Sequence, residues 1–374
     1  MSRTPRKQIK KNNYFDYTLL FIILFLVAFG LVMLYSTSSY NARIKFSDPA
    51  FYFKKQLVAT MIGLVGMTFF AKVDYRVWKK LAVLIYLVSV ALGIAVLVAG
   101  SSFNGSQRWL KIGPISFQPS EFAKLAIIIF LATLVSRMPQ KMSSIKNILK
   151  VLLLAALVIV PVAFSNLSTA IIIAGISIGL IFVASTKYLQ FIIMGIIAFV
   201  GGAGFIFFES YRMDRIKIWF HPENFEKGYQ TLQGLYAIGS GGIFGKGLGE
   251  SMQKLGFVPE PQNDMIFSVI CEELGLFGAI CVILLFLLMI WRFMIIANNA
   301  QDLFGSLVVV GIMIHISIQV ILNIAVVTNT IPNTGITLPF VSYGGTSMLF
   351  LLSEMGLALS VSRGIQIDPE QVKP

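Results

Sequence analysis

The chain has 374 residues, of which 56% are hydrophobic and 13% charged, whereas an average soluble domain has about 25% charged residues. This composition excludes an ordinary soluble enzyme and indicates a polytopic membrane protein. The formal net charge of +13 does not predict a nucleic-acid partner, because Lys and Arg accumulate in the cytoplasmic loops of membrane proteins. The two cysteines, Cys271 and Cys281, share one apolar run and predict neither a disulfide framework nor a metal site.

Apolar runs long enough to cross a membrane, about 17–25 residues each, recur along the chain. We predict ten such helices, at 17–37, 55–71, 80–99, 120–136, 149–165, 167–185, 189–208, 265–291, 304–327 and 344–362. The predicted fold class is therefore an all-α polytopic membrane protein. A basic tail over 1–16 precedes the transmembrane domain of residues 17–362, and a second tail covers 363–374. The weakest division is that between the fifth and sixth helices, where only the short polar patch SNLST at 165–169 interrupts the apolar stretch.

The distribution of Lys and Arg predicts the orientation of these helices. With the N-terminus inside, 17 of the 30 basic residues fall in inner segments and 12 in outer ones, while Lys124 lies within a helix. Since basic residues favour the inner side, we expect both tails in the cytoplasm. Three outer connections then stand out: residues 104–124, a large extracellular loop over about 209–264 between helices 7 and 8, and residues 329–345.

The first outer connection leads into the fourth helix with a cluster of charges. Glu121 and Lys124 are three residues apart and share a helix face. They are either an ion pair that only fills the bundle or a polar patch lining a cavity that opens outward. Arg108 and Lys111 add cations suited to phosphate oxygens. Trp109 fits either the interfacial aromatic belt or a stack on a sugar.

The large loop ends at Asp264, directly before the eighth helix. Asp264 is either the N-cap of that helix or a general base that meets a lipid headgroup at the outer surface. The helix N-terminus is expected to keep this carboxylate ionised. Glu272 and Glu273, two to three turns deeper, are expected to face the bundle and pair internally.

Other parts of the outer connections offer further candidate ligand contacts. Within YRMDRIKIWFHPE at 211–223, Arg212 and Arg215 belong either to an amphipathic surface segment or to a cationic clamp for a diphosphate. GGIFGKG at 241–247 is too short for a phosphate loop and lacks the Ser or Thr that holds magnesium, which disfavours an ATP-driven pump. In LPFVSYGGTS at 338–347, Ser342 could donate a hydrogen bond to a ligand beside a glycine pair. Glu354 is expected to be a structural partner within the bundle.

Three long stretches, read together, resemble the SEDS family, whose members serve shape, elongation, division and sporulation. They are NGSQRWLKIGPISFQPSEFAKL, GYQTLQGLYAIGSGGIFGKGLGESMQKLGFVPEPQNDMIFSVICEELG and LPFVSYGGTSML. The resemblance covers nearly the whole chain, in order, with ten helices. The motifs are closer to the division or sporulation branch than to the elongation branch.

The resemblance implies a function that composition does not. It implies a peptidoglycan glycosyltransferase that polymerises lipid II into β-1,4 glycan strands outside the bacterial cytoplasmic membrane, with inversion at the donor anomeric carbon. The implied partners are a class B penicillin-binding protein and other divisome or elongasome membrane proteins. No cofactor is certain, and a divalent cation, Mg or Mn, is the one candidate.

Site residues carry over from the family by position. Asp264 matches the aspartate of the large outer loop that the family requires for activity. Glu121 and Lys124 match the polar pair of its central cavity, whereas Arg108, Trp109 and Lys111 match its second outer loop. Many relatives have an acid in PDLGT between the fifth and sixth helices, but this chain has SNLST and cannot use a carboxylate there.

The mechanism that we expect is an inverting displacement with Asp264 as general base. A diphosphate leaves without a general acid, and Lys124, Arg108 or the Arg212/Arg215 cluster would hold its charge. Two other functions remain open: a transporter that flips lipid II across the membrane, and a non-catalytic scaffold for the transpeptidase.

Overall fold

A computed structural model describes residues 12–103, 106–112, 115–193, 195 and 216–367. The long helices are α1 (Tyr17–Phe46), α2 (Phe51–Lys72), α3 (Arg76–Ala99), α4 (Pro119–Arg137), α5 (Ile145–Ser165) and α6 (Leu167–Ala184). After them come α7 (Tyr229–Ser240), α8 (Ile266–Asn298), α9 (Leu303–Val327) and α10 (Gly345–Gly364). Residues 189–193 and 216–220 are also helical, and 3-10 turns cover Pro139–Ser143, Pro222–Asn224 and Glu226–Gly228.

The helices confirm a multi-pass membrane architecture. Within the described ranges, eight helices are long and apolar enough to cross a membrane: α1, α3, α4, α5, α6, α8, α9 and α10. The predicted second helix is present as α2, which has 22 residues but is not one of these eight. The predicted seventh helix, 189–208, lies mostly outside the described residues. The predicted division between the fifth and sixth helices is present, with Asn166 as the N-cap of α6.

The central and peripheral helices differ in how much of their surface other helices cover. In α4, 83% of the spanning window is buried, and in α10, 72%. The corresponding share is only 22% in α3 and 28% in α5, so most of the surface of these two helices lies on the outside of the bundle. The charged side chains of Glu121 and Lys124 on α4 are therefore enclosed by protein, where they need partners.

The two ends of the described chain meet on one face of the bundle. Strand β1 (Asn12–Asn13) pairs with β5 (Gln366–Ile367) in antiparallel register. Asp16 caps α1 by accepting a hydrogen bond from the backbone N–H of Leu19 at 2.8 Å. The same buried carboxylate accepts from Arg292 of α8 at 3.1 and 2.7 Å, which ties the start of α1 to the end of α8.

The connection between α3 and α4 contains a small sheet that the sequence analysis did not predict. Strand β3 (Ser106–Ile112) lies between β2 (Ser101–Phe103) and β4 (Ile115–Phe117), antiparallel to both. Its residues include Arg108, Trp109 and Lys111, whose placement is therefore fixed by strand register.

Helix α8 is interrupted on the side of the large loop. Gly275 has φ +68° and ψ −167°, so the α-helical ladder breaks there. Residues 241–257 of the large loop, which we call the latch segment, pack against the break. The backbone hydrogen bonds that join them are Lys246 N–H to Glu272 O, Gly247 N–H to Glu273 O, Leu276 N–H to Gly242 O and Phe277 N–H to Ile243 O, at 2.9–3.0 Å. The GGIFGKG segment thus supplies backbone hydrogen-bond partners to the residues on both sides of the break in α8.

Candidate active site

Asp264 lies just outside the membrane-spanning part of α8 and is held from two sides. Its Oδ1 accepts a hydrogen bond from Gln230 Nε2 of α7 at 3.3 Å. Its backbone carbonyl accepts from Asn323 Nδ2 of α9 at 2.8 Å. A Cβ placed on Gly335 would lie 3.9 Å from Oδ2, so the second carboxylate oxygen faces a residue with no side chain. This arrangement fixes the carboxylate and leaves room beside it.

Burial raises the pKa of Asp264 to about 6, and the negative charge of nearby Glu260 adds to the shift. Hydrogen bonds from backbone N–H groups and from Gln230 lower the pKa but do not offset the loss of hydration. The pKa of Asp264 therefore shifts upward, opposite to the shift that a helix N-terminus alone would cause. The N-cap interpretation is wrong, because α8 begins after Met265 and has no side-chain cap.

Glu121 and Lys124 form the predicted pair inside the bundle. Lys124 Nζ lies 3.1 Å from Glu121 Oε2, and the two side chains are only 2% and 9% exposed. Lys124 also donates to Gln319 Oε1 of α9 at 3.2 Å. The ion pair is therefore not closed on itself, since its cation is shared with a second helix.

A chain of contacts joins the small sheet to the surroundings of Asp264. Arg108 Nε donates to the carbonyl of Ser165 at the end of α5, at 3.3 Å. Ser168, in the first turn of α6, donates to the carbonyl of Thr334 at 2.7 Å. Thr334 precedes Gly335, the residue that faces the Asp264 carboxylate. The SNLST segment thus contributes the Ser168 hydroxyl to this contact.

The remaining predicted site residues are distributed as follows. Ser342 is buried, and its Oγ accepts a hydrogen bond from the backbone N–H of Leu338 at 2.9 Å, which leaves its own proton to donate. Lys111 is exposed and Trp109 half-buried on β3. Arg212 and Arg215 lie outside the described residues.

The deeper carboxylates pair internally, as predicted. Glu272 accepts from Lys246 Nζ at 2.7 Å, and Glu273 accepts from Lys254 Nζ at 2.7 Å. Both lysines come from the latch segment. Glu354 of α10 pairs with His315 of α9, with 2.7 Å between Oε2 and Nδ1.

Gln230 and Asn323 are the site residues that the sequence analysis missed. Both are uncharged amides, which neither composition nor charge counting detects. The sequence does contain a feature that points to Asn323, since an amide within an apolar membrane-spanning run needs a hydrogen-bond partner.

Within the described part of the chain, a divalent cation has few protein ligands available. Among the described residues, no three or more His, Cys, Asp or Glu side chains group so as to hold a metal ion. Mg²⁺ often binds through one or two carboxylates together with substrate phosphates and water. Asp264 and Glu260 are the carboxylates near the site that fit this second arrangement.

Comparison with known proteins identifies the relatives of the chain. A family model described as cell cycle protein, covering FtsW, RodA and SpoVE, matches residues 17–366. Stage V sporulation protein E of Bacillus subtilis is 42% identical over 93% of this chain and 97% of its own length. A probable peptidoglycan glycosyltransferase FtsW of Trichlorobacter lovleyi is 36% identical over 97% of each chain.

Solved structures give the same relationship. A chain from a peptidoglycan synthase complex that coordinates polymerization and crosslinking aligns with a TM-score of 0.80 at 27% identity, covering 93% of this chain and 98% of its own. Rod shape determining protein RodA of Thermus thermophilus aligns with a TM-score of 0.71 at 26% identity, covering 95% and 98%.

Fold and site together define a multi-pass membrane protein with a buried ion pair in its central helices and a desolvated aspartate just outside them. The chain belongs to the FtsW/RodA/SpoVE family, and the resemblance to the SEDS family is confirmed.

Proposed function

We propose that this peptidoglycan glycosyltransferase polymerises lipid II and that Asp264 is its general base. Relatives with 33–42% identity include proteins named probable peptidoglycan glycosyltransferase FtsW, which supports the activity. The observation that carries the proposed role of Asp264 is its environment: a carboxylate with pKa about 6, held by Gln230 and by its own backbone, with one oxygen facing the open side of Gly335.

In the proposed reaction, the 4-hydroxyl of the acceptor GlcNAc attacks C1 of the donor sugar. Asp264 takes the hydroxyl proton as the new O–C1 bond forms. The bond from C1 to the phosphate oxygen breaks, and undecaprenyl diphosphate leaves with the electron pair. Attack opposite the leaving group inverts the α-linked donor to a β-1,4 product.

The raised pKa suits this role. A general base is most effective when its pKa lies near the working pH, because it is then largely ionised and still basic enough to accept a proton. An ordinary aspartate, with a pKa near 3.9, is a weaker base by about two orders of magnitude in proton affinity.

Cations would stabilise the leaving diphosphate. The candidates are Lys124, Arg108 and the Arg212/Arg215 cluster. The role of Lys124 is supported by its ammonium group, which contacts both Glu121 and Gln319. The role of Arg108 is supported by its hydrogen bond to the end of α5, since the start of α6 is in turn bonded to the loop at Thr334. When bound, a divalent cation would add charge stabilisation, with substrate phosphates completing its coordination.

We also propose ten membrane spans with both termini in the cytoplasm of a bacterial cell and the large loop outside. Pairing of β1 with β5 places both ends on one face, and the excess of basic residues in the inner connections supports the orientation. A class B penicillin-binding protein is the proposed partner, supported by the similarity to a chain of a synthase complex that also crosslinks.

The test is polymerisation of fluorescent lipid II by the purified protein, alone and with a class B partner. Wild type should give glycan ladders, and Asp264→Asn, which keeps the size of the side chain, should give none. Ladders from Asp264→Asn at wild-type yield would refute the base role. Transfer of labelled lipid II across vesicle membranes without any polymer would support the flippase. Loss of partner activation alone would support the scaffold.

A further inference from the structure

One face of α9 carries three buried polar residues in an otherwise apolar span. His315, Gln319 and Asn323 follow one another at intervals of four, so they lie on one face of the helix. Their exposed fractions are 1%, 2% and 0%. Buried polar groups at membrane depth are costly unless they are hydrogen-bonded, so the partners of this row indicate its purpose.

Asn323 holds two backbone segments of the site with one amide group. Its Nδ2 donates to the carbonyl of Asp264 at 2.8 Å and to the carbonyl of Ile336 at 2.7 Å. Both amide hydrogens are thereby used, and each bond spans a different element. The amide fixes the distance between the residue that carries the carboxylate and the loop that includes Gly335.

Gln319, one turn away, holds the next residue of that loop. Its Nε2 donates to the carbonyl of Thr337 at 3.0 Å, and because a carbonyl only accepts, the amide orientation is determined. Its Oε1 then faces Lys124 Nζ at 3.2 Å and His315 Nε2 at 2.9 Å. The cation of the buried ion pair is therefore joined to the loop beside Asp264 through a single side chain.

His315 anchors the inner end of the row. Since Gln319 Oε1 is an acceptor, Nε2 of His315 carries a hydrogen. On the other side of the ring, Nδ1 lies 2.7 Å from Glu354 Oε2, within hydrogen-bonding distance. Contacts at both ring nitrogens thus fix the ring orientation, which limits the freedom of Gln319.

We propose that this face of α9 is the positioning element of the site, with Asn323 and Gln319 as positioning residues that set Asp264 and the 335–337 loop against each other. The inference rests on the proposed role of Asp264 as base. Neither amide touches the reacting atoms in this account. They act by holding backbone carbonyls, so their loss changes the rate of the chemical step more than the binding of lipid II. Displacement of a reacting group by about 1 Å can cost about 100-fold in rate.

The test compares Asn323→Leu and Gln319→Leu with wild type in steady-state polymerisation of lipid II by the complex with the class B partner. Leu preserves much of the volume and removes the donors. The matched control is Ser317→Ala on the same helix, since the Ser317 hydroxyl donates only to Met313 O of its own helix. We expect kcat to fall about 10- to 100-fold in both variants with KM within about threefold of wild type. The control should match wild type in both constants.

The same preparations are examined for melting temperature, partner binding and lipid II binding. Loss of kcat at unchanged melting temperature and unchanged lipid II binding supports positioning. Wild-type kcat in either variant overturns the proposal, and so does activity lost only in proportion to the folded fraction. If Asn323→Leu fails to fold, Gln319→Leu decides, because the Gln319 amide donates to Thr337 and not to the backbone of Asp264. Activity of Asp264→Asn would instead refute the base role, a result that can be told apart from failure of the positioning proposal.

Discussion

The latch segment should be held in place by Lys254 much more than by Lys246, and replacing each with Met tests this. Lys254 Nζ donates to Glu273 at 2.7 Å, to Ser36 Oγ at 2.9 Å and to Gly249 O at 2.7 Å, and its side chain is 6% exposed. Lys254→Met removes all three bonds and leaves the buried Glu273 carboxylate with Ser36 alone.

The free-energy cost of each substitution depends on how many hydrogen bonds the partner carboxylate retains. Removing one partner of a buried ion pair costs about 3–5 kcal/mol, which corresponds to a roughly 100- to 5,000-fold increase in the opened population. Lys246 is 35% exposed, and without it Glu272 still accepts from Ser251 and from the backbone N–H groups of Met252 and Gln253. Lys246→Met should therefore cost only about 1–2 kcal/mol, or roughly 5- to 30-fold.

Hydrogen exchange measured by mass spectrometry reports the opening directly. The amides of residues 246, 247, 276 and 277 bond across the break in α8 and exchange only when the latch segment separates. We expect their protection to fall by the larger factor in Lys254→Met and by the smaller one in Lys246→Met, while amides in the middle of α9 keep theirs. Equal effects of the two substitutions, or no effect of Lys254→Met, would refute the assignment of the buried pair as the main attachment.

Three further predictions concern the site and its support. The kcat/KM of polymerisation should fall as the pH drops through about 6, because Asp264 must be ionised to accept a proton. Glu260→Gln should move this fall to lower pH, and a profile that is flat down to pH 5 would contradict the assignment. Gly275→Ala should prevent recovery of folded protein in detergent, because the added Cβ would clash with the backbone N of Gly245 at a positive φ; a monodisperse variant with wild-type melting temperature would contradict this. Asn166→Asp keeps the cap on Thr169 N–H and restores an acid to the turn; unchanged polymerisation is expected, and a severalfold gain would show that a carboxylate serves there.

The membrane helices were predictable because each spanning run has to be apolar, but their ends were not. The predicted first helix stops at residue 37, whereas α1 continues to Phe46 and ends where Ser47 adopts φ +56°. Hydropathy detects only the apolar part of a helix, and the more polar residues 38–46 continue α1 beyond that part. The break at Gly275 was equally hidden, since it depends on backbone bonds from a loop segment about 30 residues earlier.

The charged part of the site followed from the sequence, because charges are rare at membrane depth and therefore conspicuous. Glu121 and Lys124 were predicted as a pair, and Asp264 was identified as a candidate. The upward shift of its pKa was not predicted, since the burial that raises the pKa comes from elements distant in sequence. Asn323 carries no charge, yet it follows Gln319 by four residues and His315 by eight within an apolar run, a spacing that the sequence shows.

The measurement that bears most directly on Asp264 as the base separates binding from chemistry. Lipid II affinity and the single-turnover rate of glycan bond formation would be measured for wild type and Asp264→Asn in complex with the partner. We predict affinity within a few-fold of wild type and a rate lower by about 10²–10⁴-fold, the range that general base catalysis supplies. An equal single-turnover rate from the bound variant, with affinity lost instead, would make Asp264 a binding group and contradict its role as the base.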